Sequence, residues 1–364
     1  MNRHPEVLVI GGGIAGLLTA REFVTAGYAT TLIEKQKVGR EASWAGGGIL
    51  SPIYPWRQPE SITPLWKNSL LIYPDLATDL HETTGVDPEW RPCGMAVMNH
   101  RIDDALTWCA NNAIEARRLD RKDAIGLIPR VAINDEPILW LPEIAQIRNP
   151  QLIKALKIDL KNKGANLLEG TEALSFSLQH DRIVQVKTNR HTFTADEIII
   201  TAGAWSKVLV DGFPPSPEIY PVKGQMLLYR SKPGLLKPIL LRGDRYLIPR
   251  RDGHILVGST LEFSGYDKSI TVDARMQLDY FAKRLLPCLS DALLVDHWAG
   301  LRPGTPSGIP YIGRHPRISN LSFNCGHFRN GFGMGPASAR LLADLLANRR
   351  PSICAEPYTL VTAH

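Results

Sequence analysis

The chain has 364 residues, of which 44% are hydrophobic and 21% charged, with a formal net charge of +6. That length buries a substantial core in two domains, or in one with a large insertion, and excludes a small scaffold stapled by disulfides. The basic residues are dispersed and Cys93, Cys109, Cys288, Cys325 and Cys354 form no CxxC pair, so we expect no DNA partner, no metal site and a reducing, cytoplasmic setting.

In chain order, Val7 to Ile10 reads as a buried parallel strand and Ile14 to Ala26 as a helix stopped at Gly27. Glycines interrupt this apolar N-terminal run, which predicts a strand and helix rather than a signal peptide or membrane span. Thr30 to Glu34 returns as a second strand and completes a right-handed βαβ unit. A glycine-rich stretch from Lys35 to Gly48 precedes a helix over Pro64 to Thr84. A further helix is expected from Asn149 to Lys163, with Asn149 as N-cap, Pro150 at its first position and Gly164 at its end. Strands follow at Leu167 to Glu169 and Ile183 to Lys187, and Glu197 to Thr201 returns to the N-terminal sheet. From Val222 to Ile270 the closely spaced strands predict an antiparallel sheet. Leu321 to Asn324 is a last strand and Ala337 to Ala347 a closing helix.

These elements predict an α/β chain with a discontinuous Rossmann-like dinucleotide-binding domain over 1–85, 149–220 and 300–364. An α+β substrate-binding domain, built on an antiparallel sheet, takes 86–148 and 221–299. Gly11, Gly13 and Gly16 satisfy G-x-G-x-x-G between strand and helix: Gly11 makes the tight turn, Gly13 lets backbone approach a pyrophosphate, and Gly16 lets the helix pack on the strand. Glu34, eighteen positions after Gly16, is placed to accept from a ribose 2'-OH and disfavours the 2'-phosphate of NADP. Gly46-Gly47-Gly48 is a second segment suited to a bulky planar cofactor, which turns the balance towards FAD.

The segments Val7 to Gly16 and Gly39 to Gly48 resemble the D-amino-acid oxidase superfamily. Trp298-Ala299-Gly300-Leu301-Arg302-Pro303-Gly304-Thr305, Gly326 to Gly331, Pro221 to Gln225 and Tyr246 to Arg250 resemble, within it, the glycine oxidases of thiazole biosynthesis. The resemblance runs from end to end, and its two arginine motifs are the specific ones. It implies FAD with its adenosine near Glu34 and Lys35, its pyrophosphate near Ile14 and Ala15, and Ala42, Ser43, Gly47, Gly48 and Ile49 along its length. Leu174 matches a position whose backbone meets the adenine. His327, Phe328, Arg329, Asn330, Gly331, Phe332 and Gly333 match the loop beside the isoalloxazine. Arg302, Arg329 and Tyr246 match substrate-binding positions, and Ile49, Leu241 and Leu261 match positions near the active site.

For an arbitrary arginine a surface ion pair is the commoner role. The apolar surround of Arg302, with Trp298, Leu301 and Pro303, instead favours a fork that clamps a substrate carboxylate. The implied reaction is FAD-dependent oxidation of glycine, sarcosine or small D-amino acids by hydride transfer, with molecular oxygen as acceptor and no obligatory acid or base from the protein. Expected partners are the small amino acid, oxygen, a thiazole synthase and further copies of the chain, with no membrane. Two other readings stand beside it: removal of a carboxymethyl group from a modified tRNA base, and a flavin amino-acid dehydrogenase.

Overall fold

A computed structural model describes residues 6–98, 101–133 and 136–360. Strand Val7–Ile10 lies at the centre of a six-stranded sheet, pairing in parallel with Thr30–Glu34 on one side and Glu197–Ile200 on the other. Asn166–Glu169 extends the sheet beyond Thr30–Glu34, and Leu321–Cys325 extends it beyond Glu197–Ile200; Tyr311–Arg314 closes that edge antiparallel. Strand side chains alternate between two faces. Val7, Val9 and Leu32 therefore enter a core with helices Ile14–Thr25, Ile62–Thr84, Asn149–Asn162 and Gly331–Leu346. Leu8, Ile10 and Ile33 enter a second core beneath a small sheet of Ala173–Gln179, Arg182–Thr188 and Thr192–Phe193.

An eight-stranded sheet runs in the order Leu293–Gly304, Tyr220–Arg230, His254–Gly258, Arg245–Pro249, Ile239–Arg242, Met95–Met98, Ile138–Leu141, Arg117–Leu119. Every pairing is antiparallel except that of Ile239–Arg242 with Met95–Met98, so the sheet expected to be antiparallel is mixed at one seam. Residues 300–304 continue the edge strand of this sheet, Gly300 opposite Gly224 and Arg302 opposite Val222, so the expected boundary at 299/300 falls inside a strand.

Two helix starts differ from expectation for local reasons. The helix expected from Asn149 has Arg148 as its N-cap, and the buried Asn149 amide reaches outward, donating to Ser43 O at 3.0 Å and Gly46 O at 2.8 Å. The closing helix starts six residues early, at Gly331, although Gly331, Gly333, Gly335 and Pro336 read as loop. Pro336 has no N–H for the carbonyl of Phe332. The buried Tyr73 hydroxyl supplies the missing donor, at 2.6 Å from Phe332 O.

Candidate active site

The two sheets meet at a cleft that gathers most of the expected site residues: Gly13, Ile14, Ala15, Ala42, Ser43, Gly47, Gly48, Ile49, Tyr246, Arg302, His327, Phe328, Arg329, Gly331 and Phe332. Gly11 and Gly16 stand behind it and shape the turn. Gly11 has φ +115°, and a Cβ on Gly16 would lie 1.9 Å from Gly11 O. Only glycine lets the helix come this close to the strand. A Cβ on Gly13, by contrast, would approach only Ser43 Oγ, at 3.2 Å, which leaves this backbone open to the cleft.

The Ile14 amide donates to Ser43 Oγ at 2.8 Å, and the helix carries no acidic residue in its first turn. With the Ile14 N–H taken by Ser43, the remaining first-turn N–H groups have no partner within the helix and no acid opposes them, the arrangement that favours phosphate. The Gly331–Leu346 helix opens on the same cleft and also has no acid in its first turn. Glu34 sits at the strand end, its carboxylate accepting from Gly12 N at 2.8 Å and Gln36 N at 2.9 Å.

On the facing sheet, Arg302 is held by neutral acceptors only: Ser259 Oγ at 2.6 Å, Thr260 O at 3.2 Å and Lys223 O at 3.4 Å. A Cβ on Gly224 would lie 2.1 Å from Arg302 Nη2, so the guanidinium rests flat on glycine backbone. Burial lowers the Arg302 pKa, Tyr246 opposes that shift, and Arg329 adds to it. Arg329 has buried Nε and Nη2 atoms with no hydrogen-bond partner. Among the described residues no carboxylate is in ion-pair contact with either guanidinium, so this end of the cleft is built for an anion.

His327 is buried, its Nε2 3.1 Å from Ser338 Oγ, and burial holds its pKa at about 4. It is thus neutral at physiological pH and adds no third charge. The second glycine segment is fixed from outside: buried Arg250 donates to Gly47 O and Gln146 Oε1, both at 2.8 Å, and to Ile147 O at 2.9 Å. A Cβ on Gly48, at φ +70°, would lie 2.1 Å from Ile147 O.

The family of FAD dependent oxidoreductases designated DAO matches residues 6–345. The chain belongs to this family. FAD is therefore its cofactor, and the open Gly13 backbone and the acid-free helix N-terminus fit that group. A glycine oxidase of Pseudomonas aeruginosa is 43% identical over 97% of this chain and 98% of its own length. The crystal structure of glycine oxidase from Geobacillus kaustophilus superposes with a TM-score of 0.94 at 27% identity, covering 100% of both chains. A bifunctional protein ThiO/ThiG of Synechocystis is 30% identical over 97% of this chain, which spans 53% of that protein. The resemblance to glycine oxidases read from the arginine motifs is thus carried by the whole chain, and the chain is an FAD-dependent amine oxidase.

Some expected residues of this oxidoreductase lie away from the cleft. Lys35 places its Nζ 3.6 Å from the Trp205 ring centroid, and Asn330 caps the closing helix, with Gly333 in its first turn against Ser51. Leu174 is exposed on the small sheet, three residues beyond Thr171, whose amide bonds Glu34 O at 2.9 Å. Leu241 is packed in the core and Leu261 is 45% exposed; neither lines the cleft. Ile53 and Met226 line it beside Ile49 instead, with Thr201, Gly203, Gly224, Ser259, Gly300 and Asn324. Gly224 and Gly300 carried a readable signal, since glycine inside a strand marks close approach. Thr201, whose hydroxyl donates to Gly11 O at 2.8 Å, carried none.

Proposed function

We propose that this oxidase acts on glycine and comparably small amines such as sarcosine and small D-amino acids. The reaction converts glycine, water and oxygen into glyoxylate, ammonia and hydrogen peroxide. One observation supports this most strongly: two guanidiniums, Arg302 and Arg329, face one buried cleft without a protein carboxylate. A substrate carboxylate supplies the missing charge, and Tyr246 offers its hydroxyl beside Arg302.

Bound FAD supplies the two-electron acceptor for the hydride that leaves the substrate α-carbon. The chain's own residues orient that carbon: Arg302 and Arg329 fix the carboxylate end, and Ile49, Ile53 and Met226 make an apolar wall that excludes water and favours the neutral amine. The same wall limits the substrate side chain, with a selectivity of about 1–3 kcal/mol per methylene-sized change. His327 is neutral and its Nε2 is engaged with Ser338, so the substrate amine sheds its proton to solvent before the cleft encloses it and no protein base is needed.

The 43% identity to a glycine oxidase and the ThiO/ThiG relative support glycine and a role in thiazole assembly, with a thiazole synthase as the consumer of the product imine. We place the enzyme in the cytoplasm as a homo-oligomer; among the described residues no helix is long and apolar enough to cross a membrane. An oxygen-uptake screen of the purified protein with glycine, sarcosine, D-alanine and D-proline tests this reading. Glycine and sarcosine should be the better substrates, each with peroxide formed. Turnover of D-proline with none of glycine would refute the assignment, and activity with a dye but not oxygen would make the chain a dehydrogenase.

A further inference from the structure

Arg302 takes its geometry from a segment that is itself tied down elsewhere. Residues 259–271 leave strand His254–Gly258, pass over strand Tyr220–Arg230, and end at Thr271, whose hydroxyl caps helix Val272–Leu285. This strap supplies Ser259 Oγ and Thr260 O to the Arg302 guanidinium. Its backbone is stitched to the strand by Lys223 N to Glu262 O at 2.9 Å and Glu262 N to Lys223 O at 3.0 Å.

The side chains repeat the stitching. Lys223 is 2% exposed, and its Nζ reaches Glu262 Oε2 at 3.1 Å, Ser269 O at 3.2 Å and Asp267 Oδ2 at 3.5 Å. Gln225, fully buried, donates to Glu262 Oε1 at 2.9 Å and accepts from Thr271 N at 3.0 Å. At its far side the strap reaches the cofactor half of the cleft. Tyr266 lies on Trp205 with ring centroids 5.5 Å apart and donates to Ala204 O at 3.1 Å, and Lys268 pairs with Glu41 at 3.0 Å.

We propose that Lys223 is a positioning residue for substrate binding: its ammonium anchors the strap through Glu262 and Asp267, and the strap fixes the Arg302 fork. The inference rests on the reading of Arg302 as the carboxylate clamp. An arginine side chain free to change rotamer loses entropy on binding, whereas one already held by Ser259, Thr260 and the Lys223 carbonyl loses little. Removing the ammonium takes its ion-paired cation from the Glu262 carboxylate and leaves it with Gln225 and the Thr260 hydroxyl, and Glu262 is exposed enough to turn towards water and draw Thr260 with it.

The test titrates the FAD-loaded enzyme with acetate, a bare carboxylate, reading the change in flavin absorbance in wild type, Lys223→Met, Lys223→Arg, Glu262→Gln and Arg302→Ala. Acetate should bind about tenfold more weakly to Lys223→Met, with partial recovery in Lys223→Arg. The KM for glycine should rise more than kcat falls, and FAD content should hold. If Lys223→Met does not fold, Glu262→Gln removes the shorter of the two ion pairs from its exposed side and should weaken acetate in the same direction, by at least about threefold. Acetate affinity within about twofold of wild type in the folded variant, with binding lost in Arg302→Ala, overturns the positioning role. Retained acetate binding in Arg302→Ala would instead remove the clamp reading, and this inference with it.

Discussion

At the scale of single residues the cleft separates charges from neutral groups by burial. Arg302 and Arg329 lie in it without a protein carboxylate in ion-pair contact, whereas His327, with Ser338 as its hydrogen-bond partner, is driven neutral by burial. The depressed His327 pKa carries a sign for stability. Between about 4 and the ordinary value of 6.5 the unfolded chain binds this proton and the folded chain does not, so stability rises with pH across that window. Its contribution is present above 6.5 and is lost as pH falls through about 4, amounting to about 3 kcal/mol in all. Urea unfolding of the FAD-saturated protein at a series of pH values should show this slope, and His327→Gln should flatten it. An equal slope in both proteins would assign the effect to other groups.

At the scale of elements, the site depends on how helix starts meet strand ends. The buried Asn149 amide joins the Asn149–Asn162 helix to the carbonyl of Ser43, inside the Ala42–Ala45 turn along the cleft, and to that of Gly46 at its end. Asn149→Ala orphans both carbonyls at about 1–3 kcal/mol each, which should weaken FAD retention well before it unfolds the chain. Ultrafiltration of the purified variant, with released FAD measured by fluorescence, checks this; full retention would show that the turn holds itself. Val7–Ile10, Ile14–Thr25 and Thr30–Glu34 were legible because a short apolar run buried on both faces marks a parallel strand, and a run of helical period between two of them marks their crossover. Asn149 was misread as a cap because capping and bridging use the same side chain, and only tertiary placement tells them apart. The start of Gly331–Leu346 was hidden because its glycines and Pro336 mimic a loop, and the compensating Tyr73 hydroxyl comes from a helix far away in sequence.

At the scale of the whole molecule, function arises where the six-stranded sheet presents the Gly13 turn and the eight-stranded sheet presents Arg302 across one cleft. Neither sheet holds both halves, so the links between them are part of the site. Arg250, whose pKa burial pushes down to about 10, remains charged at neutral pH and ties the eight-stranded sheet to Gly47 O. The strap at 259–271 makes the second link, through Tyr266 and Lys268. The glycine and arginine motifs were readable in sequence because their chemistry is local, and the links were not, since they join residues far apart in the chain. The proposed division of labour has Arg302 bind the substrate carboxylate while other residues hold FAD. It is tested most directly by measuring peroxide from glycine together with bound FAD in wild type and Arg302→Ala. A full complement of FAD is expected in both, with kcat/KM lower by about 100-fold or more in the variant, from about 3 kcal/mol of lost charge-assisted hydrogen bonding. Loss of FAD in step with activity, or undiminished peroxide formation, would contradict it.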